Sequence, residues 1–172
     1  MKKTALFILA IALSSCASAP KDTADWSGTI VQNDQKTEIV LGVMKAYVEN
    51  NLMESSAAHF AEAAEVFVND AKLTFEEMAT AFAQGHMAFD NIAHTNVTAT
   101  TMYYNNGKVF TNTWYDWSGT SKATGEEVKL KGYCAWGWKD DKISYVYNAF
   151  DPTAYNNACL LYTSPSPRDT PI

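Results

Sequence analysis

His86 and Asp90, four residues apart, are the first side chains whose types and spacing could do acid–base chemistry. A carboxylate one helical turn from an imidazole fixes its tautomer and raises its basicity, as a general base or proton shuttle requires. The alternative is a buried histidine satisfied by a structural hydrogen bond near a helix end. His94 extends the series to His-x3-Asp-x3-His, which lines up three ligands if the helix runs that far. Asn91, Thr95 and Asn96 predict that it frays sooner, and no fourth ligand or dense His/Cys cluster accompanies it, so neither metal nor cofactor is expected. Asp116 stands among Trp114, Tyr115 and Trp117. A carboxylate among aromatics has a raised pKa and can act as an acid at neutral pH; otherwise it occupies the solvent face of an edge strand. Asp151, before Pro152, suits a turn. Phe82, Trp114, Trp136, Tyr145 and Tyr147 offer flat apolar walls with a few polar tips, fit for a small apolar or ring-containing molecule, although aromatic strands serve equally as core.

The elements that must position these residues follow from periodicity. Ile39, Val40, Val43, Met44, Tyr47 and Val48 predict an amphipathic helix over 37–50, followed by a short helix over 53–60, a brief strand over 64–68 and a turn over 69–72. Thr74-x-x-Glu77 is a capping box that starts a longer helix, whose stripe of Phe75, Met78, Phe82, Phe89 and Ala93 holds His86 within it and Asp90 at its edge. Strands follow over 97–104, 108–118, 127–138 and 142–151, with an Asn-Gly turn after the first. Helices first and a meander afterwards predict an α+β fold, a curved antiparallel sheet with helices on one face. Alternation places Val128, Leu130, Cys134, Trp136 and Trp138 together, and Ile143, Tyr145, Tyr147, Ala149 and Asp151 in phase. Aromatics on both strand faces predict a sheet covered twice, by helices and by a second copy of the chain in a homodimer.

The ends have separate readings. Residues 1–15 carry two lysines, an apolar run too short to span a bilayer, and a Leu-Ser-Ser-Cys ending at Cys16 that resembles a bacterial lipobox. The resemblance implies that Cys16 is acylated and becomes the new N-terminus, and Ala17 after it implies the outer membrane, facing the periplasm. Residues 16–36 read as a tether lifting the domain off the membrane. Residues 159–172 contain the only arginine and three of the five prolines, and 159–169 resemble a translated transposase sequencing adapter. That segment is expected to be artefactual or disordered and is excluded from the fold. The net charge of −6 argues against nucleic acid as partner, since no basic patch appears. Cys134 reads as a small core residue with no disulfide partner. No Gly-rich phosphate loop, nucleophile elbow or zinc motif is present.

The element order, with Asp140-Asp141-Lys142-Ile143, Phe150-Asp151-Pro152 and the His86 … Phe89-Asp90-Asn91-Ile92 segment, resembles the nuclear-transport-factor-2-like superfamily, nearest its SnoaL-like branch, over a domain at 37–158. The resemblance implies a cone of curved sheet around helices, an internal pocket and dimerisation through the outer sheet face. Ketosteroid isomerase, polyketide cyclases, scytalone dehydratase, limonene epoxide hydrolase and noncatalytic binding modules share that fold, so it does not choose a function. Asp151 matches the place where SnoaL-like cyclases hold an acidic pocket residue. The first expectation is a membrane-anchored domain binding a small molecule without catalysis. Its rival is a cofactor-free enzyme of the isomerase, cyclase or dehydratase type, in which His86 or Asp151 takes a proton beside a carbonyl and Tyr147 steadies the oxyanion. A third is a lipoprotein that docks on another envelope protein.

Overall fold

The computed structural model describes residues 23–163; the leader, Cys16 and the far tail lie outside them. Seven strands form one sheet in the order β1-β4-β5-β6-β7-β2-β3, where β1 is Gly28–Val31, β2 Phe60–Val68, β3 Ala71–Leu73, β4 Phe89–Tyr104, β5 Val109–Ser121, β6 Glu127–Lys139 and β7 Lys142–Phe150. Four α-helices accompany it: α1 Gln35–Val48, α2 Leu52–Ser56, α3 Phe75–Ala88 and α4 Thr153–Thr163. All pairings are antiparallel except β2 with β7. The fold is the α+β, nuclear-transport-factor-2-like one, an unclosed curved sheet wrapped on helices.

Both long helices start on side-chain caps. The Asp34 carboxylate accepts from the Thr37 amide at 2.8 Å, and Thr74 and Glu77 form the reciprocal capping box read from the sequence. Val40, Val43 and Met44 of α1 and Met78 of α3 bury against Val66, Ile143 and Val146, which closes the core at one end of the sheet. Phe60 stacks on Phe75 at 4.1 Å between ring centroids and ties β2 to the start of α3.

The structure departs from the sequence expectations in four places. The third helix stops at Ala88, and the chain is already strand at Phe89. Lys122 accounts for the stop: its amide donates to the Ala88 carbonyl at 2.9 Å and its ammonium to the His86 carbonyl at 3.1 Å, so the open helix end is satisfied by β5's far turn. Phe89 and Asp90 then pair with Ser121 and Thr120. Residues 69–72, read wholly as a turn, contain the start of β3. Part of the supposed tether is built into the fold, because β1 pairs with β4 and Trp26 packs edge-on against Tyr104 at 5.2 Å. Four residues are too few for alternation to reveal. Residues 159–163, expected outside regular structure, continue α4, whose Ala158 is buried and whose Cys159 packs on the core.

Candidate functional site

Between α1, α3, α4 and the concave face of β4 to β7 lies a cavity of about 330 Å³, at the small end of the range for ligand sites. Val43, Met44 and Tyr47 line it from α1, Met78 and Phe82 from α3, and Tyr115, Trp117, Leu130, Cys134 and Trp136 from the sheet. Exposed Ala81 and Asn156, with half-buried Asn69 and Pro152, rim its open side.

Local backbone devices put the polar groups inside. Strand β4 has two register shifts, between Asp90 and Ala93 and between Thr95 and Thr98. Asn91 (φ 53°) and Asn96 (φ 50°) occupy them in the left-handed region, which asparagine tolerates better than most residues. Between these bulges His94 turns inward. Its ring stacks on Tyr47 at 5.2 Å and 23° and lies 4.6 Å from Tyr115. Gly132 leaves the room that the Tyr115 ring fills, and Gly85 does the same for the hydroxyl of Tyr155, which packs α4 against Phe89 and Trp117. A side-chain carbon at either glycine would overlap those groups.

Most polar tips in the lining are tied to each other. Tyr115 Oη donates to Asn148 Oδ1 at 2.7 Å, Trp117 Nε1 to Tyr47 Oη at 2.8 Å, and Trp136 Nε1 to Thr113 Oγ1 at 3.2 Å. His94 Nδ1 is the exception, buried with no hydrogen-bond partner. Burial pulls the His94 pKa down to about 4 against the opposing pull of the Met44 carbonyl. Burial also pushes Tyr47 up to about 12 and raises Tyr115, Tyr155 and the Cys134 thiol. Every titratable group in the lining is therefore uncharged at neutral pH, and the lining contains no carboxylate, lysine or arginine.

Of the candidate site residues singled out in the sequence, the cavity gathers Phe82, Trp136 and His94, the last as a lone imidazole and not as one of three ligands. His86 faces a second, more polar hollow of about 280 Å³ that meets the first at Tyr47, Leu52 and Phe82. Its Nε2 donates to the Tyr47 carbonyl at 2.8 Å, and burial lowers its pKa. Asp90 is not one turn along a helix from His86: it is exposed on β4 and pairs with Lys122 at 3.4 Å, so the expected dyad does not form. The His-x3-Asp-x3-His alignment dissolves for the same reason, and no metal-binding group of His, Cys, Asp and Glu assembles among the described residues. Asp151 is exposed outside the cavity, where its carboxylate accepts from the Thr153 amide at 2.9 Å at the start of α4; that bond holds its pKa down.

Trp114 and Asp116 lie on the convex face. Asp116 accepts from Asn96 at 2.7 Å and pairs with Lys131 at 3.0 Å, and these partners lower its pKa, the reverse of the expected shift. The inward set on β5 is Tyr115 and Trp117, in phase with Thr111, Thr113 and Gly119, a small-residue pattern that the sequence does show. Tyr145 and Tyr147 also face outward. Trp138 pairs with Ile143 but Gly137 with Tyr145, so Ser144 is an extra residue that flips the phase of β7 and sends Val146 and Asn148 inward instead.

The fold is the one seen in nuclear-transport-factor-2-like proteins, and it holds an open-sided, neutral, aromatic-walled cavity. Solved structures agree. A candidate polyketide cyclase of Xanthomonas campestris superposes with a TM-score of 0.57 at 15% identity, covering 69% of this chain and 92% of that one. A nuclear-transport-factor-2-like protein of Burkholderia thailandensis gives 0.54 at 18%, covering 72% and 95%. A hypothetical protein with a ketosteroid isomerase-like fold from Catenulispora acidiphila gives 0.53 at 16%, covering 74% and 98%. No protein-family profile and no curated sequence matches the chain. At these identities the likeness carries the fold alone.

Proposed function

We infer that this chain is a lipid-anchored domain that binds a small molecule by an uncharged, apolar ring system without transforming it. The observation that carries this reading is the electrical neutrality of the cavity. A proton-abstracting site needs a base whose pKa lies near the working pH, and His94, the only imidazole in the lining, is held far below it. Aromatic and aliphatic walls with a few mutually bonded polar tips suit a flat apolar guest. The anchor belongs to the same proposal and rests on the Leu-Ser-Ser-Cys run ending at Cys16. Mass spectrometry of molecules retained by the purified soluble domain tests the binding reading: a compound with an uncharged, apolar ring system is expected on denaturation, and a ligand without such a ring system would contradict it. Exchange of a Cys16→Ser variant from the membrane to the soluble fraction tests the anchor.

One observation favours the rival enzyme. The orphaned His94 Nδ1 beside Tyr115 is the kind of unpaired buried group found where chemistry occurs. Deuterium uptake next to the carbonyl of cyclic ketones in heavy water, catalysed by the natural chain and abolished in His94→Gln, would establish that reading in place of simple binding.

A further inference from the structure

The second hollow is a different chemical environment from the cavity it adjoins. Asn50, Asn51, Glu54 and His86 line it, and none of its lining residues is a lysine or arginine. Because His86 Nε2 donates to the Tyr47 carbonyl, Nδ1 of the neutral ring is left as an acceptor. Asn51 donates one amide hydrogen to Ser55 at 2.7 Å, and its carbonyl oxygen can accept as well. The Glu54 carboxylate beside these acceptors gives the hollow a negative charge and places to receive a donor. Lys122, the cation whose charge acts on His86, is turned to the His86 carbonyl and to Asp90.

Three side chains, Tyr47, Leu52 and Phe82, form the wall shared by the two hollows. They are not equally fixed. The Tyr47 hydroxyl is held by Trp117 and its ring by His94, and Leu52 is buried at the start of α2. Phe82 is only half-buried, and its one aromatic contact is edge-on to Tyr47 at 5.2 Å. Phe82 is thus the least constrained side chain of that wall.

We propose that the two hollows are halves of one site for an amphipathic ligand, whose apolar ring system lies in the cavity and whose hydrogen-bond-donating end, an amine or hydroxyl, reaches past Phe82 to Glu54 and His86. This rests on the binding reading above and names the ligand's second half. Three fluorescent probes sharing a naphthalene ring test it: dansylamide, its N-pentyl derivative, and dansylcadaverine, whose five-carbon tail ends in an amine. Titration of the soluble domain should show dansylcadaverine binding about tenfold more tightly than N-pentyl dansylamide. Glu54→Gln combined with His86→Ala should erase that preference while leaving dansylamide affinity unchanged. Phe82→Leu, which keeps an apolar side chain without a ring, should speed association of dansylcadaverine more than of dansylamide. Equal affinity for the two tailed probes, or a preference that survives the double substitution, overturns the two-part site and leaves the cavity reading standing. Failure of dansylamide itself to bind overturns the cavity reading and this inference with it.

Discussion

The concave and convex faces of the same three strands carry similar numbers of aromatic rings but spend them differently. On the concave face Trp136 is 5% exposed and Tyr115 8%, and the polar atoms of Tyr115, Trp117 and Trp136 end on protein partners. On the convex face Trp114 is 47% exposed and Tyr147 37%, beside an ion pair between Lys131 and Asp116. Ring content alone does not make a site. What separates the faces is that burial on one side neutralises every titratable group, whereas on the other Asp116 keeps its charge because lysine and water reach it.

The sharpest break of that contrast comes from cutting one tryptophan on each face. Trp136→Ala should cost about 3–5 kcal/mol in denaturant unfolding, because it removes a buried ring and the hydrogen bond that the ring gives Thr113, whose hydroxyl keeps only its bond to the Cys134 carbonyl. Trp114→Ala, measured at a concentration too low for association, should stay within about 0.5 kcal/mol, as half-exposed surface positions do. Comparable losses would mean that the convex face is also core.

A second test uses the protonation of His94. Its folded pKa, about 4, lies below the ordinary 6.5 of an unfolded histidine, so the unfolded chain takes up the proton first as pH falls. The resulting loss of stability begins near pH 6.5 and is complete near pH 4, on the order of 3 kcal/mol in all. His94→Gln lacks this dependence, so the stability difference between natural chain and variant should change across that window and level off outside it. A flat difference from pH 7 to 4 would show that the ring is solvated rather than held in the cavity.

The parts legible in the sequence were those written in local chemistry. Thr74 and Glu77 announce the start of α3, Asn106-Gly107 the first hairpin, and strict alternation from Val128 to Trp138 the inward set of β6. The site was harder because each of its misplaced residues depends on an interruption of periodicity. Asp90 leaves the helix because Lys122, distant in sequence, satisfies the helix end. His94 turns inward because of bulges at Asn91 and Asn96, residue types that in the sequence predict only helix fraying. Tyr145 and Tyr147 turn outward because Ser144 is an extra residue. A bulge shifts every later side chain to the opposite face, so one unrecognised residue inverts the reading of a whole strand. Asn148, which bonds Tyr115 in the cavity, was missed for that reason alone.

The smallest effect on the fold, and the most informative about assembly, is expected at the convex aromatics. Trp114 touches Tyr133 at 5.5 Å and otherwise faces water, as does much of Tyr147, so replacing both by glutamate removes little that the single chain buries. If a second copy covers this face, as the two-sided distribution of rings in the sequence predicts, the same substitutions place two carboxylates in an apolar contact, where desolvation is costly. Light scattering of the soluble domain should then give twice the chain mass for the natural protein and a single chain mass for Trp114→Glu with Tyr147→Glu, with far-ultraviolet circular dichroism unchanged. A natural chain that runs as a single copy at high concentration would reject the dimer and would mean that this face, unlike the concave one, keeps its rings for water or for a different partner.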